Sequence, residues 1–266
     1  MADYYNQYHL TRFAGIAADC MGIELPPEYA PAIPWVSDLL KSRLGGKADR
    51  AVFYHADAVG QYIWQKYTGM FAPVYAHTSL ALPFQSTVMS VTPVAHASMY
   101  TGLEPEQHGI QTYVRPQLAC DTFYDALLRL GLRPAILAQK DSTFLHIFAG
   151  RDMDYFEEPN AVAIQEKALR LLHEDKYDVI SIHTFDYDDA AHAYGPESRE
   201  ALNAVALEAE GFDRIARLIE TEWSGKHRTL LTYSPDHGQH LLPGGNGSHG
   251  SKQIEDMNIL HFFGTL

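Results

Sequence analysis

Three apolar runs of the chain lead into aspartates, and this repeated arrangement limits the fold more than any other feature. The run 51–56 precedes Asp57, the run 177–183 precedes the acidic cluster 186–189, and the run 228–233 precedes Asp236. Segments with helical spacing of apolar residues alternate with these runs, at about 59–67, 122–130, 161–173 and 196–223. This alternation predicts an α/β fold with a mostly parallel central sheet and helices on both faces, so the aspartates should meet at the carboxyl edge of the sheet.

The domain organisation is predicted from the length of the chain and from its lack of repeats and linkers. The chain has 266 residues, enough to bury the core of one large domain, and it contains no internal repeat or low-complexity linker. We therefore expect a single domain over 1–266, with residues 1–45 as an N-terminal lead-in packed on it. A segment 73–78 is expected to be extended, and 258–263 to be a last strand. The two cysteines, Cys20 and Cys120, are expected to be reduced thiols.

Charge and hydropathy exclude several classes of partner. The net charge of −13 argues against a nucleic-acid polymer as ligand, because phosphate backbones are bound by clustered Lys and Arg. An acidic protein can still bind a single phosphate if metal ions supply the positive charge. Neither a membrane-spanning run nor the basic flank and apolar block of a signal peptide is present in the sequence, so we expect a cytoplasmic location and no membrane partner.

One hydroxyl stands out in the stretch 90–102. Thr92 lies at the predicted start of a helix, with Pro93 at the first helical position, where a missing N–H costs nothing. Free backbone donors and the positive end of the helix dipole favour phosphate at such a position. Taken alone, a Thr-Pro pair is more often a structural cap than a nucleophile.

Candidate metal ligands follow the later strands. Asp188 and His192 are four residues apart and share one face if a helical turn forms, Asp236 and His237 are adjacent, and His249 lies in a glycine-rich loop. Each also fits an ordinary turn or loop. Together with Asp57 and Thr92, they form a supply of oxygen and nitrogen ligands suited to two divalent ions, with Zn²⁺ favoured over Mn²⁺. Two such ions can clamp the attacking and leaving oxygens of an in-line displacement.

The order of these segments resembles the alkaline phosphatase superfamily, and most closely its nucleotide pyrophosphatase/phosphodiesterase branch. The matching segments, in chain order, are Asp57, 92–96 with 101–102, 106–110, 188–192 with 195–196, 236–238 and 248–250. The resemblance implies one ion held by Asp57, Thr92, Asp236 and His237, and a second held by Asp188, His192 and His249. It also implies attack of Thr92 on phosphorus, a phosphothreonine intermediate and net retention at phosphorus. His96 and His108 match the motifs without matching ligand positions, so both are expected to be structural.

The sequence also departs from the family pattern. Asp236 and His249 are only thirteen positions apart, where many members insert a substrate-covering subdomain, so we expect the core fold with no large cap. The asparagine that usually contacts phosphate in the diesterase branch is replaced by the loop 111–115, where Tyr113 or Arg115 are candidate substrate contacts, with Lys140 and Lys252 as further nearby cations. The sulfatase branch needs a modifiable Cys or Ser with an Arg nearby, which 92–96 lacks.

Three functional hypotheses follow. The first is a two-metal hydrolase of small phosphodiesters or nucleotide pyrophosphates. The alternatives are a phosphonate C–P hydrolase or phosphomonoesterase with the same ligands, and a catalytically inactive metal-binding protein of the same fold. The ligands define the type of reaction, whereas the loops select the substrate. The sequence makes no prediction of the oligomeric state.

Overall fold

The computed structural model describes residues 4–266, so residues 1–3, which contributed to the prediction of location, lie outside the described residues. The strands are β1 (Tyr8–His9), β2 (Arg50–Ala56), β3 (Leu80–Gln85), β4 (Pro134–Gln139), β5 (Asp154–Glu158), β6 (Val179–Thr184), β7 (Thr229–Tyr233), β8 (His240–Leu241), β9 (Gly247–Ser248) and β10 (Asn258–Thr265). The helices are α1 (Arg12–Met21), α2 (Pro34–Leu44), α3 (Gln61–Lys66), α4 (Ala72–Tyr75), α5 (Thr92–Thr101), α6 (Pro105–His108), α7 (Phe123–Arg129), α8 (Thr143–Phe148), α9 (Ala161–Glu174), α10 (Asp186–Tyr194), α11 (Arg199–Glu222) and α12 (Ile254–Met257). None of the helices within residues 4–266 combines the length and the apolar character that crossing a membrane requires.

Eight strands form one mixed sheet in the order β1-β3-β10-β7-β2-β6-β4-β5. Every strand of this sheet runs parallel to the others except β10, which is antiparallel to both β3 and β7. Strand β2 lies between β6 and β7, with Ala56 opposite Thr184 and Tyr54 opposite Tyr233. This register aligns the carboxyl ends of three central strands, so the segments that follow them converge at one edge.

Helices cover both faces of the sheet, as the alternation in the sequence predicts. Successive residues of β2 point to opposite faces, so Phe53 belongs to the core formed with α1, α2, α5, α7 and α8, and Tyr54 belongs to the core formed with α9 and α11. The strand is buried on both sides, which explains its nearly continuous apolar sequence. The predicted fold class is confirmed, and residues 237–248 between Asp236 and His249 form the short β8–β9 ribbon rather than a cap.

The N-terminal segment packs against this sheet. Phe13 of α1 is 1% exposed, and its ring contacts the rings of Phe53, His55, Tyr100 and His261. Helix α2 contributes to the same core through residues that include Leu40. These contacts agree with a lead-in that covers one face, and the division of the chain into a single domain stays a prediction.

Two local predictions were wrong. Residues 73–78 were expected to be extended, but a 3₁₀ turn at Thr68–Phe71 leads into α4, and the strand is β3 at Leu80–Gln85. Pro73 lies in the first turn of α4, where its fixed φ suits a helix. The longest helix begins at Arg199 rather than at Pro196, because the Ser198 side chain accepts a hydrogen bond from the Ala201 amide and caps the helix there.

The packing of α1 gives a stability prediction. Phe13→Ala should lower the free energy of unfolding by about 3–5 kcal/mol, because a fully buried ring would leave a cavity among four neighbouring rings. Urea denaturation would measure the change. The control is Leu130→Ala at a position that is 60% exposed, where a change within about 0.5 kcal/mol is expected. Equal effects of the two substitutions would contradict the packing role of α1.

Candidate metal centre

The first group of candidate ligands lies where β2 and β7 end. Asp57, Asp236 and His237 place one ligand atom each within 4.8 Å of one another, and all three side chains are buried. Thr92 begins helix α5, one residue earlier than the sequence predicts. Its hydroxyl donates to Asp57 Oδ2 over 3.2 Å and lies 3.5 Å from His237 Nε2. The structure thus brings together the four residues assigned to one ion.

The second group lies beside the first. Asp188 and His192 lie one turn apart on α10, and His249 follows β9. His192 Nε2 and His249 Nε2 each lie 3.5 Å from Asp188 Oδ1. The rings of His249 and His237 are stacked with centroids 4.3 Å apart, so the two groups are neighbours. All seven residues predicted from the sequence therefore meet at one place, while their roles as ligands stay predictions.

Tight backbone turns allow this convergence. Gly238 follows His237, and a Cβ atom at Gly238 would overlap the carbonyl oxygen of Glu255 and crowd Gly60. The Gly238 amide donates to the Asp256 carbonyl, and Asp256 also accepts hydrogen bonds from Ser251. These contacts fix the loop that returns the chain toward His249.

The three histidines of the two groups are oriented in the same way. In each ring Nδ1 lies near a backbone carbonyl oxygen: His192 near Gly247 (3.2 Å), His237 near Gly238 (3.1 Å) and His249 near Ser90 (3.1 Å). A carbonyl accepts but cannot donate, so the proton is placed on Nδ1 and the lone pair on Nε2. Each Nε2 then faces a carboxylate with its lone pair, which is the arrangement of histidines that ligate a metal.

The distances within the groups fit divalent ions better than direct hydrogen bonds. His237 Nε2 lies 3.4 Å from both Asp57 Oδ1 and Asp236 Oδ2, longer than a good N–H···O contact. Two ligands about 2.0–2.1 Å from one tetrahedral ion are about 3.3–3.4 Å apart. Asp57 Oδ1 and Asp236 Oδ2 are also buried with no hydrogen-bond partner among the described residues. The donor set and these orphaned oxygens therefore fit a metal site.

Burial controls the protonation of the site. It raises the pKa of Asp57 well above its usual range, and the negative charges of Asp236 and Asp188 add to the effect. Burial likewise raises the pKa of Asp236 to about 7. Burial lowers the pKa of His249 to about 4, and it lowers the pKa of His237 as well. The two histidines are thus neutral and free to ligate at pH 7, whereas without an ion the buried carboxylates retain protons to unusually high pH.

A cavity of about 310 Å³ opens onto Thr92. Its lining includes Asp57 and Asp188 from the two groups and the predicted substrate contacts Tyr113 and Arg115. Arg115 Nη2 lies 3.4 Å from the Tyr113 hydroxyl oxygen, and both residues are exposed. The structure thus places Tyr113 and Arg115 on the wall of the cavity, and their role as substrate contacts stays a prediction.

The lining also includes Lys140, a nearby cation that the sequence pointed to, and residues without a predicted role, among them His183, Ser142 and Asp189. His183 is the last residue but one of strand β6, and this position near the end of the strand was the available signal. Gln239 does not line the cavity but is also a residue that the sequence did not single out: its side-chain amide donates to Asp188 Oδ1 and to the Asp188 carbonyl.

The two motif histidines lie at different places. His108 is buried and hydrogen-bonded to Ser98, and it belongs to neither candidate group. His96 is also buried, and its Nε2 lies 3.5 Å from Asp236 Oδ2 beneath the site. The contacts of His108 agree with a purely structural role. His96 lies next to a candidate ligand, so its structural role stays a prediction.

Comparison with known proteins gives distant relatives of one architecture. No family model matches the chain. Three solved structures are similar: murine ectonucleotide pyrophosphatase/phosphodiesterase 5 in complex with AMP, the lipooligosaccharide phosphoethanolamine transferase A of Neisseria meningitidis, and phosphonoacetate hydrolase of Sinorhizobium meliloti. Their TM-scores are 0.58, 0.60 and 0.52, their identities 14%, 12% and 17%, and they cover 73%, 82% and 72% of this chain. This chain covers 58%, 48% and 56% of those proteins.

A curated relative matches locally. GPI ethanolamine phosphate transferase 1 of Aspergillus fumigatus is 38% identical over 79 residues, which are 30% of this chain and 7% of that protein. The chain thus corresponds to a small part of this relative. The similar structures establish that the chain has the fold of the alkaline phosphatase superfamily, as its motifs predicted, and a member of the nucleotide pyrophosphatase/phosphodiesterase branch is among them.

The raised pKa of Asp236 predicts that ion binding depends on pH. Because the pKa is about 7, most metal-free molecules carry a proton on this carboxyl at pH 6, and an ion must displace it. We expect Zn²⁺ and Mn²⁺ to bind more weakly as pH falls, by up to about tenfold per pH unit below 7. Calorimetry at pH 6 and pH 8, in buffers of different ionisation heat, would measure affinity and proton release. Equal affinities without proton release would contradict the assignment.

Proposed function

We propose that the chain is a two-metal enzyme that hydrolyses small phosphoryl esters, with Thr92 as its nucleophile. The observation that carries the proposal is the position of the Thr92 hydroxyl, 3.2 Å from Asp57 Oδ2 and 3.5 Å from His237 Nε2 on the lining of the cavity. A hydroxyl at the first residue of a ten-residue helix also faces the positive end of the helix dipole, which favours a phosphoryl group there.

Seven side chains are proposed as ligands. Asp57, Thr92, Asp236 and His237 would hold one ion, and Asp188, His192 and His249 the other. Zn²⁺ suits this mixture of imidazole and carboxylate better than a harder cation does, and Mn²⁺ is the alternative. When bound, such ions would supply Lewis acidity that activates a hydroxyl and stabilises the charge on a leaving oxygen.

The proposed reaction has two steps on Thr92. Its Oγ1 forms a bond to phosphorus while the bond to the leaving oxygen breaks, and Asp57 Oδ2, which accepts the Thr92 hydrogen bond, is placed to take up the hydroxyl proton. The resulting phosphothreonine is then attacked by water, which releases phosphate or a phosphomonoester and restores the Thr92 hydroxyl. Two inversions leave the configuration at phosphorus unchanged.

The candidate functions differ in the molecule that accepts the phosphoryl group, which is water in a hydrolase and another molecule in a transferase. Two of the similar proteins are named as phosphoethanolamine or ethanolamine phosphate transferases, in which a molecule other than water receives the group. A third is a phosphonate hydrolase. We infer hydrolysis of phosphodiesters or nucleotide pyrophosphates first, and transfer to an alcohol or amine second. Phosphonate or phosphomonoester hydrolysis and an inactive metal-binding protein are further alternatives. The cytoplasmic location and the lack of a nucleic-acid partner stay predictions.

The role of Thr92 can be tested with two substitutions. Thr92→Ala should lower turnover of bis-p-nitrophenyl phosphate by about 10³-fold or more, because the attacking oxygen is removed. Thr92→Ser keeps the oxygen and should retain much more activity. Acid quenching with a radiolabelled substrate should trap label on a peptide containing residue 92 in the wild type and in the serine variant. Full activity of the alanine variant would exclude this mechanism.

The acceptor can be tested with a substrate panel. The Zn²⁺-loaded or Mn²⁺-loaded protein should release nitrophenol from bis-p-nitrophenyl phosphate and from p-nitrophenyl phenylphosphonate faster than from p-nitrophenyl phosphate. Adding ethanolamine or glycerol and analysing products by phosphorus NMR would reveal transfer. Products that carry the added alcohol or amine, in excess over free phosphate, would favour a transferase. Release of phosphate from phosphonoacetate but not from diesters would favour the phosphonate alternative.

A further inference from the structure

His183 lies next to the proposed nucleophile without belonging to the predicted ligand set. It is 1% exposed, it lies near the carboxyl end of β6, and it lines the cavity together with Thr92. Its ring stacks on Phe144, with centroids 5.3 Å apart and an interplanar angle of 22°. The side chain is therefore held by packing and has little freedom to turn away from the site.

The two ring nitrogens of His183 have different partners. Nδ1 lies 3.0 Å from the Ser142 hydroxyl oxygen, and Nε2 lies 3.2 Å from Asp57 Oδ2. As a metal ligand Asp57 is ionised and its oxygens can only accept, so in that state the proton belongs on His183 Nε2, and the Ser142 hydroxyl then donates to Nδ1. This is the opposite tautomer to that of His192, His237 and His249.

The same carboxylate is shared by three groups. Asp57 Oδ2 lies 3.2 Å from His183 Nε2 and accepts a hydrogen bond from Thr92 Oγ1 over 3.2 Å, whereas Oδ1 lies 3.4 Å from His237 Nε2. The contact from His183 is not aligned as a hydrogen bond, and Nε2 has no other partner among the described residues. His183 Nε2–H is thus a buried donor next to Asp57 Oδ2, and buried donors in folded proteins are nearly always paired.

We propose that His183 is a positioning residue that holds Oδ2 of Asp57, so that Oδ1 is presented to the ion and Oδ2 to the Thr92 hydroxyl. Ser142 sets the tautomer of His183 from the wall of the cavity. The inference rests on the proposed function, because it assumes that Asp57 ligates an ion. Groups that orient a ligand in this way commonly change metal affinity by 10–100-fold when they are removed.

Gln239 provides a matched comparison in the other group. It is fully buried, and its amide donates to Asp188 rather than to Asp57. If His183 positions only Asp57 and Gln239 positions only Asp188, removing His183 should weaken the ion of the Asp57 group and removing Gln239 should weaken the ion of the Asp188 group. A general loss of folding would instead weaken both ions together.

The test measures ion binding and does not depend on turnover. Calorimetric titration of the metal-free full chain with Zn²⁺ should resolve two ions in the wild type. In His183→Phe, which keeps an aromatic ring against Phe144 but removes the donor, the ion of the Asp57 group should bind about 10–100-fold more weakly, with the second ion unchanged. His183→Gln can place an amide N–H near Asp57 and should restore most of the affinity. Gln239→Leu should weaken the other ion.

Two further readouts separate positioning from folding. The melting temperature of metal-free His183→Phe should stay close to that of the wild type, as should that of the control His173→Phe at an exposed histidine remote from the cavity. In the loaded enzyme, KM should change less than kcat. Unchanged affinity for both ions in His183→Phe, or equal weakening of both ions with a lowered melting temperature, would overturn the inference while leaving the proposed function intact. A wild type that binds no ion would overturn both.

Discussion

The structure depends on one electrostatic constraint: carboxylates are buried together at the edge of the sheet without enough positive charge from the chain. Asp236 is fully buried, Asp57 is 3% exposed, and both have a buried oxygen without a hydrogen-bond partner among residues 4–266. Removing charged carboxylates from water costs several kcal/mol each unless they are neutralised. The site must therefore hold protons or cations, and the divalent ions proposed above would supply the missing positive charge.

The layer beneath the site does not relieve this constraint. His55 and His261 are buried below the carboxylates, and their other ring contacts are with aromatic residues such as Phe13. Burial lowers the pKa of His55 to about 4 and the pKa of His261 to about 3, so both rings are neutral at pH 7. They bind the carbonyl oxygens of Ser234 and Pro235 and thereby fix the backbone that leads to Asp236. They thus support the loop through hydrogen bonds, and the compensating charge must come from elsewhere.

Much of this arrangement could be predicted from the sequence, because it depends on strand ends. Apolar runs identify β2, β6 and β7, and in a parallel sheet their carboxyl ends meet, so Asp57 and Asp236 could be placed together before their distance was known. The spacing of Asp188 and His192 needed only one helical turn, which α10 provides.

The remaining features depend on details that a pattern does not carry. Whether His183 faces the site or only the core depends on the register of β6 and on the position of α8, neither of which is encoded locally. The segment 73–78 was misread because a short apolar run fits a helix or a strand equally well. Gln239 escaped notice because a single amide after a glycine has no distinctive spacing, although its partner Asp188 was predicted.

The short connection between Asp236 and His249 forms the β8–β9 ribbon and contributes no residue to the lining of the cavity beside Thr92. The β8–β9 ribbon packs against α10, where the Asn246 side chain donates to the carbonyl oxygens of His192 and Ala193. The ribbon therefore positions ligands and does not cover the cavity. The opposite wall is left to the loops 111–115 and 140–143, which contribute the cations Arg115 and Lys140 and the anion Asp141. In the proposed reaction the ions would act on any phosphoryl group that reaches Thr92, so discrimination among substrates and acceptors would arise from these loops.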